Sequence, residues 1–304
     1  MACFHPVKGY RSRTINPTGK RSIVFTPSRG YMDMPVTVPC GRCIGCRLER
    51  SRSWAVRCTH EASLYEKNCF ITLTYNQENL PLSGTLVVKH FQNFMKKLRR
   101  TYGPGIRFFH CGEYGEQLKR PHYHACLFNH DFPDKQYWKD IRENKYYLSK
   151  SLEEIWGKGF CSITDLTFKT AAYAARYITK KITGEKADTH YETMDPYGEM
   201  TRISPEYTTM SRKPGIAKGW FDKFHTDVFP DDFVVINDKK YKVPKFYDGQ
   251  FELIAPSDLT HIKTVRRLNS KLFEANSTYE RLAVREEIQL SKFKQLKRSY
   301  ENEV

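Results

Sequence analysis

The spacing of apolar and polar positions changes period several times along the chain. From Ile44 onward, Leu48, Ala55, Cys58 and Ala62 recur on one helical face, with Arg47, Arg50, Arg52 and Arg57 away from it. Cys69–Tyr75 is β-branched and aromatic and predicts a strand. After a loop at Asn76–Gly84, the spacing of Val88, Phe91, Phe94, Met95 and Leu98 predicts an amphipathic helix that also carries Lys96, Lys97, Arg99 and Arg100. Ile106–Cys111 and His122–Phe128 read as strands around a turn at Gly112–Pro121. Ser151–Trp156 reads as a short helix, Phe160–Asp165 as a fourth strand and Thr170–Ile182 as an alanine-rich helix. The order β-α-β-β-α-β followed by a helix predicts an α+β protein on a split βαβ, ferredoxin-like antiparallel sheet.

Outside that core the pattern is looser. Residues 1–39, rich in Pro, Gly, Thr and Arg, read as loop and extended chain. Asp188–Ser211 reads as a long polar excursion, and Phe233–Ile236 with Lys240–Val243 as a hairpin. Leu259–Tyr300 reads as two helices with apolar positions at Leu282, Leu290, Phe293 and Leu296. Three regions result: a basic, Cys-rich N-terminal extension (1–60), a catalytic core (61–184) and a mostly helical C-terminal extension (185–304). There is no internal repeat and no G-x-x-x-x-G-K-[ST], so nothing points to a P-loop motor.

Charge narrows the class of partner. Fifty Lys and Arg against 34 Asp and Glu give a net +16, which favours a polyanion, most often nucleic acid. Residues 1–60 hold 11 of the cations and two of the carboxylates. No apolar run approaches the ~18 residues of a membrane helix, so no membrane partner is expected. The first ten residues lack the apolar stretch of a secretion signal, so an unsecreted chain is expected. Its nine cysteines then read as thiols or metal ligands rather than a disulfide framework.

Three constellations carry candidate chemistry. In Arg120-Pro121-His122-Tyr123-His124, residues i and i+2 of a strand share a face, so two imidazoles stand side by side with Tyr123 turned inward. A hard divalent ion needs an oxygen ligand as well, and Glu113, across the turn, can supply it, with Glu116 as the alternative. Tyr173 and Tyr177 lie four apart on a helix, near Arg176, Lys180 and Lys181. A phenol of pKa about 10 needs such cations to become a nucleophile; otherwise the pair reads as amphipathic core. Cys40, Cys43 and Cys46 can wrap one ion, with Cys3 as the candidate fourth ligand and His5, Cys58 and His60 as competitors. Structural zinc fits this set better than an iron–sulfur cluster, whose usual following Cys-Pro is missing.

Together these elements resemble HUH-type rolling-circle replication initiator endonucleases. His122-Tyr123-His124 stands as the H-hydrophobe-H motif, Phe70–Tyr75 as the first motif, and Tyr173–Tyr177 with Lys180 and Lys181 as the two-tyrosine motif. Glu113 stands where that family places its third metal ligand. Pro39–Arg47, Arg120–His124, Ala172–Lys181 and Pro214-Gly215-Ile216 are similar to replication initiators of small single-stranded DNA phages, the gokushovirus branch of the Microviridae. The likeness runs from about residue 1 to 225.

The resemblance implies Mg²⁺ or Mn²⁺ at Glu113, His122 and His124, and a metal-dependent nick in single-stranded origin DNA. One tyrosine would form a 5′-phosphotyrosine and free a 3′-OH for a host polymerase, with a host helicase implied, in the cytoplasm of the infected bacterium. The second tyrosine would permit rejoining. Arg47, Arg50, Lys96, Lys97, Arg99, Arg100, Arg120 and Arg176 would hold the DNA. Two rivals remain from the residues themselves: a non-catalytic zinc-containing nucleic-acid-binding protein, and a metal nuclease in which water attacks.

Overall fold

The structure is a computed structural model and describes residues 3–17, 19–115, 118–141, 143–176, 186–195 and 197–295. In chain order its elements are β1 (Val7–Ile15), β2 (Arg21–Val24), β3 (Gly30–Val38), α1 (Ile44–Ala62), β4 (Asn68–Thr74), α2 (Val88–Tyr102), β5 (Arg107–Tyr114) and β6 (Pro121–Phe128). Next come β7 (Gln136–Ile141), β8 (Asn144–Leu148), α3 (Lys150–Trp156), β9 (Cys161–Thr164), α4 (Phe168–Arg176), α5 (Lys186–His190), β10 (Glu192–Met194), β11 (Met200–Arg202) and β12 (Tyr207–Met210). The remainder is α6 (Lys218–Phe224), β13 (Phe233–Ile236), β14 (Lys239–Lys242), α7 (Lys245–Phe251), α8 (Pro256–Lys271) and α9 (Tyr279–Gln295). Among the described residues no helix is long and apolar enough to cross a membrane. The described chain forms two compact units, residues 50–265 and residues 3–49 with 266–295.

The larger unit is α+β, built on a seven-stranded antiparallel sheet of order β12-β5-β6-β4-β9-β8-β7. Its central strands are covered on both faces, which is why they read as nearly unbroken apolar runs. On one face Phe91, Phe94, Met95 and Leu98 of α2, with Leu152 and Trp156 of α3, pack on Ile71, Leu73, Tyr123, Ala125 and Leu127. Burying such a four-residue helical stripe contributes roughly 1.5–3 kcal/mol per side chain, and that burial holds the helix down. On the other face Val56 and Cys58 of α1 and Ala171, Tyr173 and Ala174 of α4 pack on Phe70, Phe109, Cys126 and Phe128. Two glycines are set by close approach. At Gly112 a Cβ would come 2.8 Å from the Tyr207 ring, and at Gly159, with φ +146°, one would come 2.3 Å from Asn76 N. The strand ends around the candidate site therefore need glycine.

The sequence expectations for β4, α2, β5, β6, α3 and β9 match the elements found. Four others need correction. Residues 1–39 are not loop: β1, β2 and β3 form an antiparallel sheet of order β2-β1-β3, with Pro35 tolerated because β3 is an edge strand. The β7–β8 hairpin, absent from the expectation, inserts between β6 and α3 and extends the main sheet. The polar excursion at Asp188–Ser211 ends in β12, which pairs with β5 through Tyr207–Gly112 to Met210–Phe109. The C-terminal extension is mixed rather than mostly helical, because β10 to β14 all lie in it. In α9 the expected stripe is thin: Leu282 is buried, Leu290 is exposed and Leu296 lies outside the described residues.

Candidate functional site

The site grows from strand register. In the β5–β6 pair Glu113 lies opposite His122 and Cys111 opposite His124; in the β4–β6 pair Thr72 lies opposite His124. Directly opposed residues share a face of the sheet. Glu113, His122, His124 and Thr72 therefore project together on the α1/α4 face, while Tyr123 turns to the other and is buried there. Tyr123 is locked by its hydroxyl, 2.8 Å from that of Tyr75 and 3.0 Å from Val87 N.

The Nε2 atoms of His122 and His124 lie 2.9 and 2.8 Å from the same Glu113 Oε1, with the two rings nearly perpendicular at 88°. Their outer nitrogens are also engaged. His122 Nδ1 lies 3.2 Å from the Arg120 carbonyl oxygen and His124 Nδ1 lies 3.0 Å from Thr72 Oγ1. A carbonyl oxygen only accepts, so His122 Nδ1 carries the proton, and in the neutral ring the Nε2 lone pair faces the carboxylate. Glu113 is fully buried; burial pushes its pKa up, but the hydrogen bonds to His122 and His124 outweigh this and bring it down to about 2. An ionised carboxylate and two imidazoles thus converge, with all three ligand atoms within 4.8 Å of one another. Such a donor set holds a shared proton or a divalent cation. The outer hydrogen bonds to Thr72 and the Arg120 carbonyl are the kind that orient metal-bound histidines.

The ring of Tyr173, on α4, stands edge-on to that of His124, with centroids 5.2 Å apart. It is buried, also meets Phe70, and carries the Arg176 guanidinium 5.8 Å over its ring. Ser51 of α1 donates to the Ala172 carbonyl at 3.2 Å and fixes the helix beside the triad. The described part of α4 ends at Arg176, so Tyr177, Lys180 and Lys181 lie outside the described residues, as does Glu116.

The expected DNA-binding cations are dispersed. Arg120 donates to the Tyr75 carbonyl at 3.0 Å and to Gln77 Oε1 at 3.1 Å, bracing the start of β6 against the end of β4. Lys96, Lys97 and Arg100 are exposed on α2, which covers the sheet face opposite the triad. Arg99 donates twice to the Ile106 carbonyl, at 3.0 and 2.8 Å. Arg50 is exposed, and Arg47 begins the helical bonding of α1 through its N–H to the Cys43 carbonyl. Thr72 was missing from the sequence reading, because only the β4–β6 register reveals that it supports His124.

In the smaller unit Cys3, Cys40, Cys43 and Cys46 gather with their sulfurs within 4.8 Å of one another. Zinc with arms of about 2.3 Å needs sulfurs about 3.8 Å apart, and Cys3 and Cys43 stand 3.9 Å apart. Backbone N–H groups point at the sulfurs: Cys43 and Arg42 donate to Cys40, Cys40 donates to Cys3, and Phe4 donates to Cys43. Burial raises the Cys40 pKa, but these N–H donors bring it down to about 7; burial pushes Cys3 and Cys46 up. The competing ligands are committed elsewhere. His5 Nε2 lies 2.6 Å from Glu286, Cys58 is in the core of the larger unit, and His60 Nδ1 lies 2.7 Å from the Tyr247 hydroxyl.

Comparison with known proteins adds independent findings. The family model described as Replication-associated protein ORF2 matches residues 68–182. The chain is 35% identical over 274 residues to the Replication-associated protein ORF2 of Spiroplasma virus 4, covering 83% of this chain and 81% of that protein. It is 30% identical over 296 residues to the Replication-associated protein VP4 of Bdellovibrio phage phiMH2K, covering 93% and 87%. It is 27% identical over 231 residues to the Replication-associated protein ORF4 of Chlamydia phage 1, covering 73% and 55%. No solved structure matches.

Proposed function

The chain belongs to the family of replication-associated proteins of small phages, and from that premise we propose that it initiates rolling-circle replication by nicking single-stranded origin DNA through a tyrosine. The observation that carries the proposal is the convergence of Glu113, His122 and His124 beside Tyr173. The order of the four central strands, β9-β4-β6-β5, supports a ferredoxin-like core of the HUH type.

Glu113, His122 and His124 would hold Mg²⁺ or Mn²⁺, which as a Lewis acid withdraws charge from the scissile phosphate oxygens. The chain's own residues do the rest. A phenol at position 173 or 177 gives up its proton, favoured by the cations Arg176, Lys180 and Lys181. Its oxygen attacks phosphorus; the bond to the 3′ oxygen breaks, and that oxygen takes up a proton. The products are a 5′-phosphotyrosine and a 3′-OH for a host polymerase. One phosphodiester has been exchanged for another, so the second tyrosine can later rejoin the strand without ATP. The setting is the cytoplasm of the infected bacterium. In the smaller unit Cys3, Cys40, Cys43 and Cys46 would hold a structural Zn²⁺.

One observation favours a second reading: Tyr173 is only 3% exposed, as a residue that merely packs would be. Water would then be the nucleophile. The test incubates the protein with Mn²⁺ and end-labelled single-stranded origin DNA. Protein-linked label in the wild type, and no cutting by His122→Ala/His124→Ala, is the expected result; two free fragments with no protein-linked label would establish hydrolysis instead.

A further inference from the structure

At ~3.3 Å per residue, β5 carries the chain roughly 20 Å from Glu113 back to Arg107, and its far end has a character of its own. There an open cleft of about 440 Å³ is lined by Arg99, Arg107, Phe108, Ser211, Arg212 and Lys213, and no carboxylate lines it among the described residues. We infer that this cleft is a second DNA site, which grips the sugar–phosphate backbone of the strand flanking the nick. The inference rests on the reading that DNA is the substrate.

The cations of the cleft are held on fixed backbone. Ser211 N–H donates to the Phe108 carbonyl at 2.9 Å, Phe108 N–H donates to Ser211 Oγ at 3.1 Å, and Arg107 Nη2 donates to the Pro214 carbonyl at 2.8 Å. These bonds tie 211–214 to the start of β5, and the exposed Arg212 and Lys213 project from that tied segment. The paired bonds from Arg99 to the Ile106 carbonyl orient its guanidinium at the rim. Burial, and then the nearby Arg107, lowers the Arg99 pKa, a sign that like charges are crowded. The carboxylate against this group is the buried Glu61, which pairs with Arg107 and also accepts the Ala217 N–H. Four cations thus meet one carboxylate, and the excess favours a polyanion.

The half-buried Phe108 adds an aromatic wall, with the Arg99 guanidinium 5.7 Å over its ring. Cations interleaved with an aromatic surface suit unpaired nucleotides, whose bases stack while their phosphates are neutralised. The separation from the triad corresponds to about six nucleotides at ~3.4 Å per phosphate of a stacked strand. The cleft also gives a use to α2, which ends there although its exposed Lys96, Lys97 and Arg100 face away from the triad.

The test measures binding of the full chain in EDTA, by fluorescence anisotropy over a range of salt. One labelled single strand runs well past the cut on both sides, and another is confined to it. Arg212→Glu/Lys213→Glu is compared with the charge-matched Lys239→Glu/Lys240→Glu on the exposed β14. For the long strand, the cleft variant should bind about tenfold or more weakly, with the slope of log K against log salt reduced by about 1.4, about 0.7 per lost phosphate contact. The β14 variant should keep the wild-type slope, and the short strand should bind the wild type and the cleft variant alike. An unchanged slope in the cleft variant, or an equal fall in both variants, would overturn the inference. Cutting is not involved, so a wild type that forms no phosphotyrosine would sink the proposed mechanism and leave this result standing.

Discussion

Thr72→Val removes one hydroxyl beside the triad and keeps the side chain's branching. Thr72 is nearly buried, and its Oγ1 lies 3.0 Å from Nδ1 of His124, whose Nε2 points at Glu113. The lost hydrogen bond fixes the ring's orientation and raises the basicity of the ligating nitrogen. Loss of such an outer partner costs about 10–100-fold in metal affinity, or about 1.4–2.8 kcal/mol. Calorimetric titration with Mn²⁺ should show a Kd raised by that factor, and the Mn²⁺ needed for half-maximal cutting should rise in parallel. Cutting at saturating metal should stay near the wild-type rate, because Thr72 has no part in attack. Thr72→Ser restores the hydroxyl and should restore affinity, which separates ligand orientation from a general packing defect. An unchanged Mn²⁺ affinity in Thr72→Val would refute the reasoning.

Two further outcomes follow from groups outside the triad. His60 stacks 3.6 Å from Trp220, and burial drives its pKa down to about 3; burial likewise brings His130 down to about 4. The folded state keeps both rings neutral where the unfolded chain takes up protons below about 6.5. Unfolding free energy should therefore fall as pH drops from about 6.5 to 4, by up to about 1.4 kcal/mol per pH unit for each ring. Urea titrations of His60→Gln should show a shallower slope than the wild type, and an equal slope would count against the account. Separately, the purified full chain should carry one zinc per molecule by elemental mass spectrometry, and Cys43→Ser should carry none and melt earlier. A metal-free wild type, or full zinc in the variant, would remove the structural zinc from the account.

What the sequence made legible is what local period and short spacing encode. The i, i+2 histidines and the carboxylate across one tight turn sit on neighbouring antiparallel strands, so the Glu113–His122 register follows from the turn itself. The stripe on α2 and the caps around it are likewise local. Thr72 is of another kind: its pairing with His124 joins residues 52 apart in the chain, and no periodicity carries that register. The same holds for β12, whose Tyr207–Met210 reads as polar chain until it meets the edge of β5. Residues 1–39 failed for a different reason. Val7, Tyr10, Val36 and Val38 favour strands, but interspersed Gly, Pro and Arg hid the alternation, and Pro35 is compatible with a strand only at a sheet edge. Charge spacing placed Lys96, Lys97 and Arg100 on one helix without telling which face of the sheet that helix covers.

The measurement that bears most directly on the central claim is transfer of labelled DNA to protein. The full chain, Tyr173→Phe, Tyr177→Phe and the double variant are each incubated with Mn²⁺ and single-stranded origin DNA labelled on either side of the cut, then resolved on a denaturing protein gel. The account predicts that label on the 5′-phosphate side moves with the wild-type protein, is reduced in the single variants and is absent from the double. Cutting that persists in the double variant would contradict it and make water the nucleophile.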